Sequence, residues 1–383
     1  VTSTLFHGAR KLDASGQVDG FWMLVGAGEI IATGSGPVPD SAAGADRVDV
    51  AGHWLVPGFI DLHGHGGGGH SFDDGAEEIL AALAAHRAHG TTRSVLSLVA
   101  NPFGSLLGSL EIIADLAADD PLILGSHLEG PYLAPENRGA HNAEFLLEPE
   151  PSEIERLIGA ARGTLRQLTI APELPGAMEA IGVLIEAGVT VAVGHTMADL
   201  QLARAAFHRG ARILTHAFNA MPGIHNRAPG PVMAAFEDER VTLELILDGK
   251  HVHPSVAALA FAEARGRVAL ITDAMAAAAA DDGDYRLGSL NVSVRDGLAL
   301  LSGTETIAGS TLTQDAALRH AIHDAGIEPR DAIAALTHVP ASALGLGHRH
   351  GLLATGYAAD AVVLDHQWQV TGVWADGVRL TGQ

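Results

Sequence analysis

Two histidines stand two residues apart in His63-Gly64-His65, at the end of the apolar run LVPGFIDLH (55–63). Side chains two apart on a strand share a face, so both imidazoles can aim at one cation. Gly64 and Gly66–Gly69 let the backbone leave the strand sharply. Taken alone, the pair also reads as two polar loop histidines beside a flexible glycine run. Glu129 ends a second run, PLILGSHLE (121–129), and is followed by the turn Gly130-Pro131. A carboxylate in such a place is costly unless it is paired or metal-bound. His195 follows Val191-Ala192-Val193-Gly194, and His216 follows Ile213-Leu214-Thr215. A lone histidine in either place is more often a satisfied core residue. Two of them on consecutive strands, with Glu129, make the nitrogen and oxygen set that suits Zn²⁺ or a similar divalent ion with one position left for water. Asp273 ends RVALITD (267–273). There it can take a proton from that water and return it to a leaving amine. The competing reading of Asp273 is a helix N-cap before the Ala-rich residues 274–280.

These residues need elements to carry them. Eight aliphatic runs recur, at 55–63, 91–99, 121–129, 166–173, 189–195, 211–216, 241–248 and 267–273. Helix candidates lie between them at Asp74–His89, Ser105–Ala118, Glu153–Ala161, Ala177–Ala187, Ala198–His208 and Val256–Ala264. A spacing of roughly 30 residues is that of one βα unit, and eight units suggest an α/β fold of the (β/α)8 barrel type. A doubly wound sheet is the alternative. All the residues above stand at C-terminal strand ends, the face on which such barrels build their active sites. After Ala274, YRLGSLNVSVRDGLALLSG (285–303) alternates and carries Asp296-Gly297, a hairpin signal, so it reads as an insertion. Thr313–Ala325 and Pro329–Leu336 read as helices. The two ends of the chain are both β-rich and can pair into one small domain, giving 1–54 plus 347–383 around a barrel of 55–346.

Composition narrows the classes. With 383 residues, 47% apolar and 18% charged, there is ample material for a core, and disorder is excluded as the main state. Cysteine is absent, which excludes disulfides and thiolate metal sites. Lys plus Arg total 23 against 45 Asp plus Glu, a formal charge of −22, so nucleic acid is not expected as a partner. No run is long enough to span a membrane. The most apolar stretch, Val268 to Ala280, is interrupted by Asp273. The first residues lack the pattern of a signal peptide, so a cytoplasmic enzyme is expected. Only two lysines occur, Lys11 and Lys250, and neither is placed to bridge two metals as a carbamylated lysine does in some binuclear barrel hydrolases; Glu129 is the remaining bridge. His251-Val252-His253 is a second HxH, ranked below the first because it trails past the strand end into Pro254. Arg227, in the loop after His216, can hold a phosphate or carboxylate by paired hydrogen bonds, or it can be a solvated surface residue.

PGFIDLHGHGG, HLEGPYL, RGAHN, VAVGHTMAD, THAFNAMPGIHNRAPG, LILDGKHVHP, LITDAM and LSGTETIAGSTLT run in this order through nearly the whole chain. Together they resemble the N-acetylglucosamine-6-phosphate deacetylase family of the amidohydrolase superfamily, and the tail GLLATGYAADAVVLD resembles that superfamily's usual ending. The resemblance implies a TIM-like barrel with a small β-sandwich built from both termini. It implies hydrolysis of the acetamide of N-acetylglucosamine 6-phosphate, giving glucosamine 6-phosphate and acetate. It implies that Glu129, His195 and His216 bind the principal metal and that Asp273 is the general base and acid. Ala140, His141, Asn219, Ala220, Arg227, His251, Ile307, Ala308 and Gly309 would contact the sugar phosphate. The family is commonly a homodimer whose phosphate site is completed by the neighbouring subunit, here through Arg227 and His251. Members that keep the HxH pair can hold two metals. His63 and His65 are present, so one or two divalent ions per subunit are implied, Zn²⁺ foremost, with Glu129 bridging. Other readings are an amidohydrolase of different substrate, such as an N-acyl-amino-acid deacylase or a deaminase, and a non-catalytic barrel. The last is disfavoured because all six ligand and proton-transfer positions carry competent side chains.

Overall fold

Eight short, almost wholly buried strands form one parallel sheet in the computed structural model, which describes residues 3–382. In chain order they are β1 (Phe59–Asp61), β2 (Thr91–Leu98), β3 (Ile123–Glu129), β4 (Leu165–Ile170), β5 (Thr190–Val193), β6 (Ile213–Leu214), β7 (Thr242–Ile246) and β8 (Val268–Ile271). Each pairs with its sequence neighbour, so the sheet curls into the expected barrel. The barrel covers these strands on both faces, and all eight residues of β2 are buried, Arg93 and its hydroxyl-bearing neighbours included. The seam between β8 and β1 lacks a regular ladder. It is closed by the carboxylate of Asp61, which accepts from the Thr272 hydroxyl at 2.6 Å and from the Thr272 amide at 3.3 Å. Just above, the amide of Asp273 bonds the carbonyl of His63 at 2.8 Å, and that of His65 bonds Ala274 at 2.7 Å. The two ends of the sheet therefore meet at the mouth, through the residues that carry the candidate chemistry.

The termini build a second sheet of eight strands, mostly antiparallel. Thr4–Asp13 runs beside Gly16–Gly26 on one side; on the other it meets Asp46–Asp49 along its first half and Trp54–Pro57 along its second. The C-terminal strand Ala361–Leu364 pairs with Trp54–Pro57. The run 55–63, which reads as one strand from its composition, is therefore two. Its first part belongs to the terminal sheet, its second to the barrel, and Gly58 turns between them. A Cβ at Gly58 would stand 2.2 Å from the Thr92 hydroxyl oxygen, so only glycine lets these layers approach. The first two residues and the last of the expected terminal domain lie outside the described residues.

Seven helices fall where the sequence pattern places them, within a few residues, and Pro329–Leu336 has the expected bounds. Two more, Gly230–Glu237 and His338–Ala343, lie outside that pattern. Both are short and contain proline, which masks the helical period. The stretch that reads as one helix over 313–325 is the α-helix Gln314–Arg319 continued by a π-turn at His320–Asp324. The insertion forms a three-stranded antiparallel sheet (Asp284–Leu287, Leu290–Arg295, Leu298–Leu301), with Asp296 and Gly297 both at positive φ in its hairpin turn. Its apolar face packs on Val99, Met275 and Ala308 beside the barrel mouth.

One buried cation joins the two sheets. Arg93 on β2 makes paired bonds to Asp360 at 2.8 and 2.9 Å and reaches Asp376 at 2.6 Å. Burial opposes the charge on Asp360, but His350 and Arg93 beside it hold its pKa down at about 2. Arg93→Leu leaves that carboxylate buried without its partner and is expected to lower stability by about 3–5 kcal/mol, read from urea denaturation at pH 7. A depressed carboxylate stabilises above its unfolded pKa, near 4, and stops doing so as pH falls toward 2. The gap between parent and variant should accordingly shrink over that interval; equal midpoints at pH 7 would contradict the assignment.

Candidate active site

Glu129, the last residue of β3, is buried, and five imidazoles surround its carboxylate. His195 and His216 stand 2.9 and 3.0 Å from Oε1, and His63 is 3.3 Å from the same atom. His65 and His141 stand 3.1 and 3.3 Å from Oε2. His195 and His216 face each other at 3.0 Å through Nε2, as His63 and His65 do at 3.2 Å. Asp273 Oδ1 lies 3.3 Å from His65 and 3.6 Å from His63. The residues expected at the metal and at the proton-transfer position thus share one point, although they come from five strands of the barrel.

The backbone explains how strand ends deliver them. His195, His216 and Asp273 each lie two residues past the last paired residue of their strand, at φ of 46°, 26° and 47°. Non-glycine residues rarely adopt this left-handed region and do so mainly where function holds them. The turn breaks the alternation of the strand and swings each side chain over the mouth. Residues 274–280 form turns rather than a helix, so Asp273 is no N-cap.

Hydrogen-bond partners fix which ring nitrogen is free to ligate. His63 Nδ1 points at Glu244 Oε2 (3.2 Å) and His195 Nδ1 at the Asn137 carbonyl (2.8 Å). Both Nδ1 atoms must carry hydrogen, which leaves a lone pair on each Nε2 at the cluster. His141 is the reverse. Its Nδ1 accepts from the amide of Ala100 at 3.2 Å, so its Nε2 carries the hydrogen and donates. His141 therefore sits among the ligands but offers a donor, in keeping with a substrate-contacting role. His127 packs on His63 with ring centroids 4.6 Å apart and is fixed between Ser97 and Thr169. Burial, with His63 nearby, pushes its pKa well below the ordinary value, so it stays neutral.

Electrostatics point to a cation. Burial opposes charge on Glu129, yet His63, His141 and His195 hold it well below the usual carboxylate range. Asp273 is likewise held low against burial by His63 and His65. The imidazoles respond in the opposite sense: His63 is raised well above its usual value by Glu129 and Asp273 despite burial, and His65 rises to about 9. Two buried carboxylates demand positive charge, and a divalent ion can replace those protons. The donor set fits one. Ligands about 2.0–2.2 Å from a tetrahedral ion stand about 3.3–3.6 Å apart; the spacings of 2.9 to 3.0 Å among Glu129, His195 and His216 fall a few tenths of an ångström short of that, a gap that small side-chain movements close. His63, His65, Glu129 and Asp273 form a second compatible group.

Several contributors are not legible as functional from sequence. Glu244 in β7 is fully buried, holding His63 through Oε2 while Oε1 accepts from Gln167 at 2.8 Å. Its signal is an acid inside the apolar run VTLELILD. His127 lies two residues before Glu129, and the spacing that pairs His63 with His65 would have found it. Around the cluster opens a cavity of about 520 Å³, lined by Ala140, His141, Asn219, Ala220, His251, Ile307 and Gly309 among others. Arg138, the first residue of RGAHN, also lines it, although no role for it is legible in the sequence alone. Gly309 lets the chain pass 3.0 Å (measured from an added Cβ) from the Asp273 carbonyl. Ala308 does not line the cavity but packs beneath the three-stranded sheet, because the segment's alternation turns it inward. Arg227 is exposed and off the cavity wall within one chain. His251 is oriented by Asp248 at 2.7 Å and held above its usual pKa by that carboxylate, against burial. His253 instead caps the helix Pro254–Glu263 by accepting from Ser255, so the second HxH is no ligand pair. Lys11 pairs with Asp13 in the terminal sheet and Lys250 bonds the carbonyl of Asp296, so neither bridges the cluster.

The amidohydrolase family profile matches residues 54–380. The chain belongs to the amidohydrolase family. This amidohydrolase is 38% identical to an N-acetylgalactosamine-6-phosphate deacetylase of Escherichia coli O157:H7, with 96% of this chain and 97% of the relative covered. It is 33% identical to an N-acetylglucosamine-6-phosphate deacetylase of Vibrio furnissii, covering 88% and 86%. Its structure superposes on a point mutant of N-acetyl-D-glucosamine-6-phosphate deacetylase from Mycobacterium smegmatis in complex with N-acetyl-D-glucosamine-6-phosphate, with TM-score 0.94, 42% identity and both chains covered in full. The enzyme of Thermotoga maritima gives TM-score 0.89 at 26% identity, covering 99% and 100%.

Glu244→Gln removes the charge that orients His63 while keeping the shape. Outer partners of this kind typically contribute 10–100-fold in metal affinity. A loss of about that size is expected in competition with a chromophoric chelator; unchanged affinity would show that Glu244 only packs the barrel.

Proposed function

We propose that this amidohydrolase removes the acetyl group of N-acetyl-D-glucosamine 6-phosphate, giving D-glucosamine 6-phosphate and acetate. The observation that carries the reading is the convergence of Glu129, His195, His216 and Asp273 at the floor of a cavity sized for a sugar phosphate. Glu129, His195 and His216 would hold a divalent cation, for which we propose Zn²⁺, and His63, His65 and Asp273 would join Glu129 in holding a second. When bound, such a cation acidifies water and polarises a carbonyl.

Asp273, ionised at neutral pH, takes the proton of the attacking water as its oxygen bonds the acetyl carbon. The same proton then passes to the nitrogen as the carbon–nitrogen bond breaks. His141 directs its Nε2–H at a substrate oxygen. Asn219, Ala220, Ile307 and Gly309 shape the sugar pocket, with Ala308 supporting it from behind, and Ala140 flanks His141. Arg227 lies off the wall of its own cavity, so we assign it to the phosphate bound by a neighbouring subunit of a homodimer, whereas His251 lines its own cavity and contacts the sugar phosphate held there. Residues up to Pro57 and from 347 onward form the small domain in this reading, with the barrel between them. No helix among the described residues is long and apolar enough to cross a membrane. We place the enzyme in the cytoplasm.

A second substrate is favoured by the E. coli O157:H7 relative: the C4 epimer, N-acetyl-D-galactosamine 6-phosphate. Acetate release should be measured on both phosphosugars and on unphosphorylated N-acetylglucosamine. Phosphosugar turnover well above that of the neutral sugar is expected, with Asp273→Asn reducing kcat about 10²–10⁴-fold. Arg227→Ala should cost about 2–5 kcal/mol in kcat/KM. Equal or better cleavage of the neutral sugar would refute the phosphate assignment, and preference for the galacto epimer would transfer the function to it.

A further inference from the structure

Four of the six imidazoles at the mouth have a partner fixing the ring nitrogen turned away from the cluster or, for His127 and His141, both nitrogens. His65 and His216 are the exceptions, and of the two only His65 has a carboxylate with a free oxygen on the turn bonded to it. The Nδ1 of His65 is enclosed and has no hydrogen-bond partner among the described residues. Asp73 has the complementary defect. Its Oδ1 accepts from Asn101 Nδ2 at 2.8 Å, while its Oδ2 is enclosed and equally without a partner. The short turn that carries Asp73 is tied to the histidine itself: the amide of Phe72 bonds the carbonyl of His65 at 2.8 Å, and the Ser71 hydroxyl accepts from the amide of Asp73. Burial pushes the Asp73 carboxyl up to about 7, and the His65 ring nearby works against that rise.

We infer that Asp73 is the positioning residue of His65, orienting its ring through Nδ1 as Glu244 orients that of His63. The carboxylate accepts the Nδ1 hydrogen, directly or through one water, and so presents the Nε2 lone pair to the cation shared with Glu129 and Asp273. Asn101 supports it by holding the other oxygen. The inference rests on the two-cation reading above, and it concerns only the ion held by the HxH pair. Glu129, His195 and His216 meet on the other side of the cluster, and Asp73 makes no contact with them.

The test measures binding rather than turnover. Parent and Asp73→Asn, Asp73→Glu and Glu244→Gln variants are titrated with Co²⁺ by calorimetry, with the visible absorption of the bound ion recorded alongside. Asp73→Asn keeps an acceptor for Asn101 but sets an NH₂ group against the Nδ1 hydrogen. The weaker of two binding steps should lose about 10–100-fold in affinity, the tighter step should be unchanged, and Asp73→Glu should recover part of the loss. A parent that binds a single ion would sink the two-cation reading and this inference together. A parent that binds two, with both steps unaltered or equally weakened in Asp73→Asn, would overturn the inference alone. Should the variants fail to fold, a crystal structure of the zinc-loaded parent decides. An Asp73 carboxylate joined to His65 Nδ1 within hydrogen-bond distance or by one water supports the assignment, and one turned to bulk solvent refutes it.

Discussion

A buried carboxylate has to be neutralised where it stands, and Glu129 is neutralised by a ring of imidazoles contributed from across the barrel. Everything at the mouth follows from that demand. The rings come from β1, β5, β6 and the loop after β3, so no local segment can meet it alone. Only a closed sheet brings strand ends this far apart in sequence within hydrogen-bond distance of one oxygen. The same demand makes the site receptive to a divalent cation, because protons on imidazoles and a metal ion compete for one negative centre.

The fold gives up conformational energy to present these groups. Three of the site residues sit in the left-handed backbone region, which costs each of them of order 1–3 kcal/mol. Firm surroundings make this sustainable. Asp61 and Thr272 close the seam beneath the HxH pair, and Arg93 ties β2 to the terminal sheet. The loop bearing Asn137 and His141 is clasped to the turn after β5, where the amide of Ala134 bonds the carbonyl of His195. Around this rigid floor the walls are more varied. The inserted three-stranded sheet and the exposed loop with Arg227 provide surfaces on which substrate choice can change without disturbing the cluster.

Much of this is legible in the sequence for a simple reason. Strand period and strand ends are local signals, and a parallel barrel gathers strand ends at one face. His63, His65, Glu129, His195, His216 and Asp273 can all be placed by that rule. Supporting residues are harder to see, because their meaning depends on which strands become neighbours. Glu244 is an anomaly in an apolar run until β7 is known to lie across from β1, and Asp61 is unremarkable until the seam is known to lack a ladder. The two tasks within 55–63 are hidden for a related cause. Trp54–Pro57 and Phe59–Asp61 follow one another in a single mainly apolar run, and only their different partners separate them. His251 and His253 share a spacing with the first pair, yet a helix begins directly after His253, so one faces the cavity and the other caps that helix.

The central claim is that Glu129, His195 and His216 share one cation. Anomalous scattering collected at the zinc absorption edge, from crystals of the unsubstituted protein grown with Zn²⁺, addresses it most directly. The account predicts a peak about 2.0–2.2 Å from Glu129 Oε1 and from the Nε2 atoms of both histidines. A well-ordered site with no peak there, or with the ion bound only elsewhere on the molecule, would contradict it.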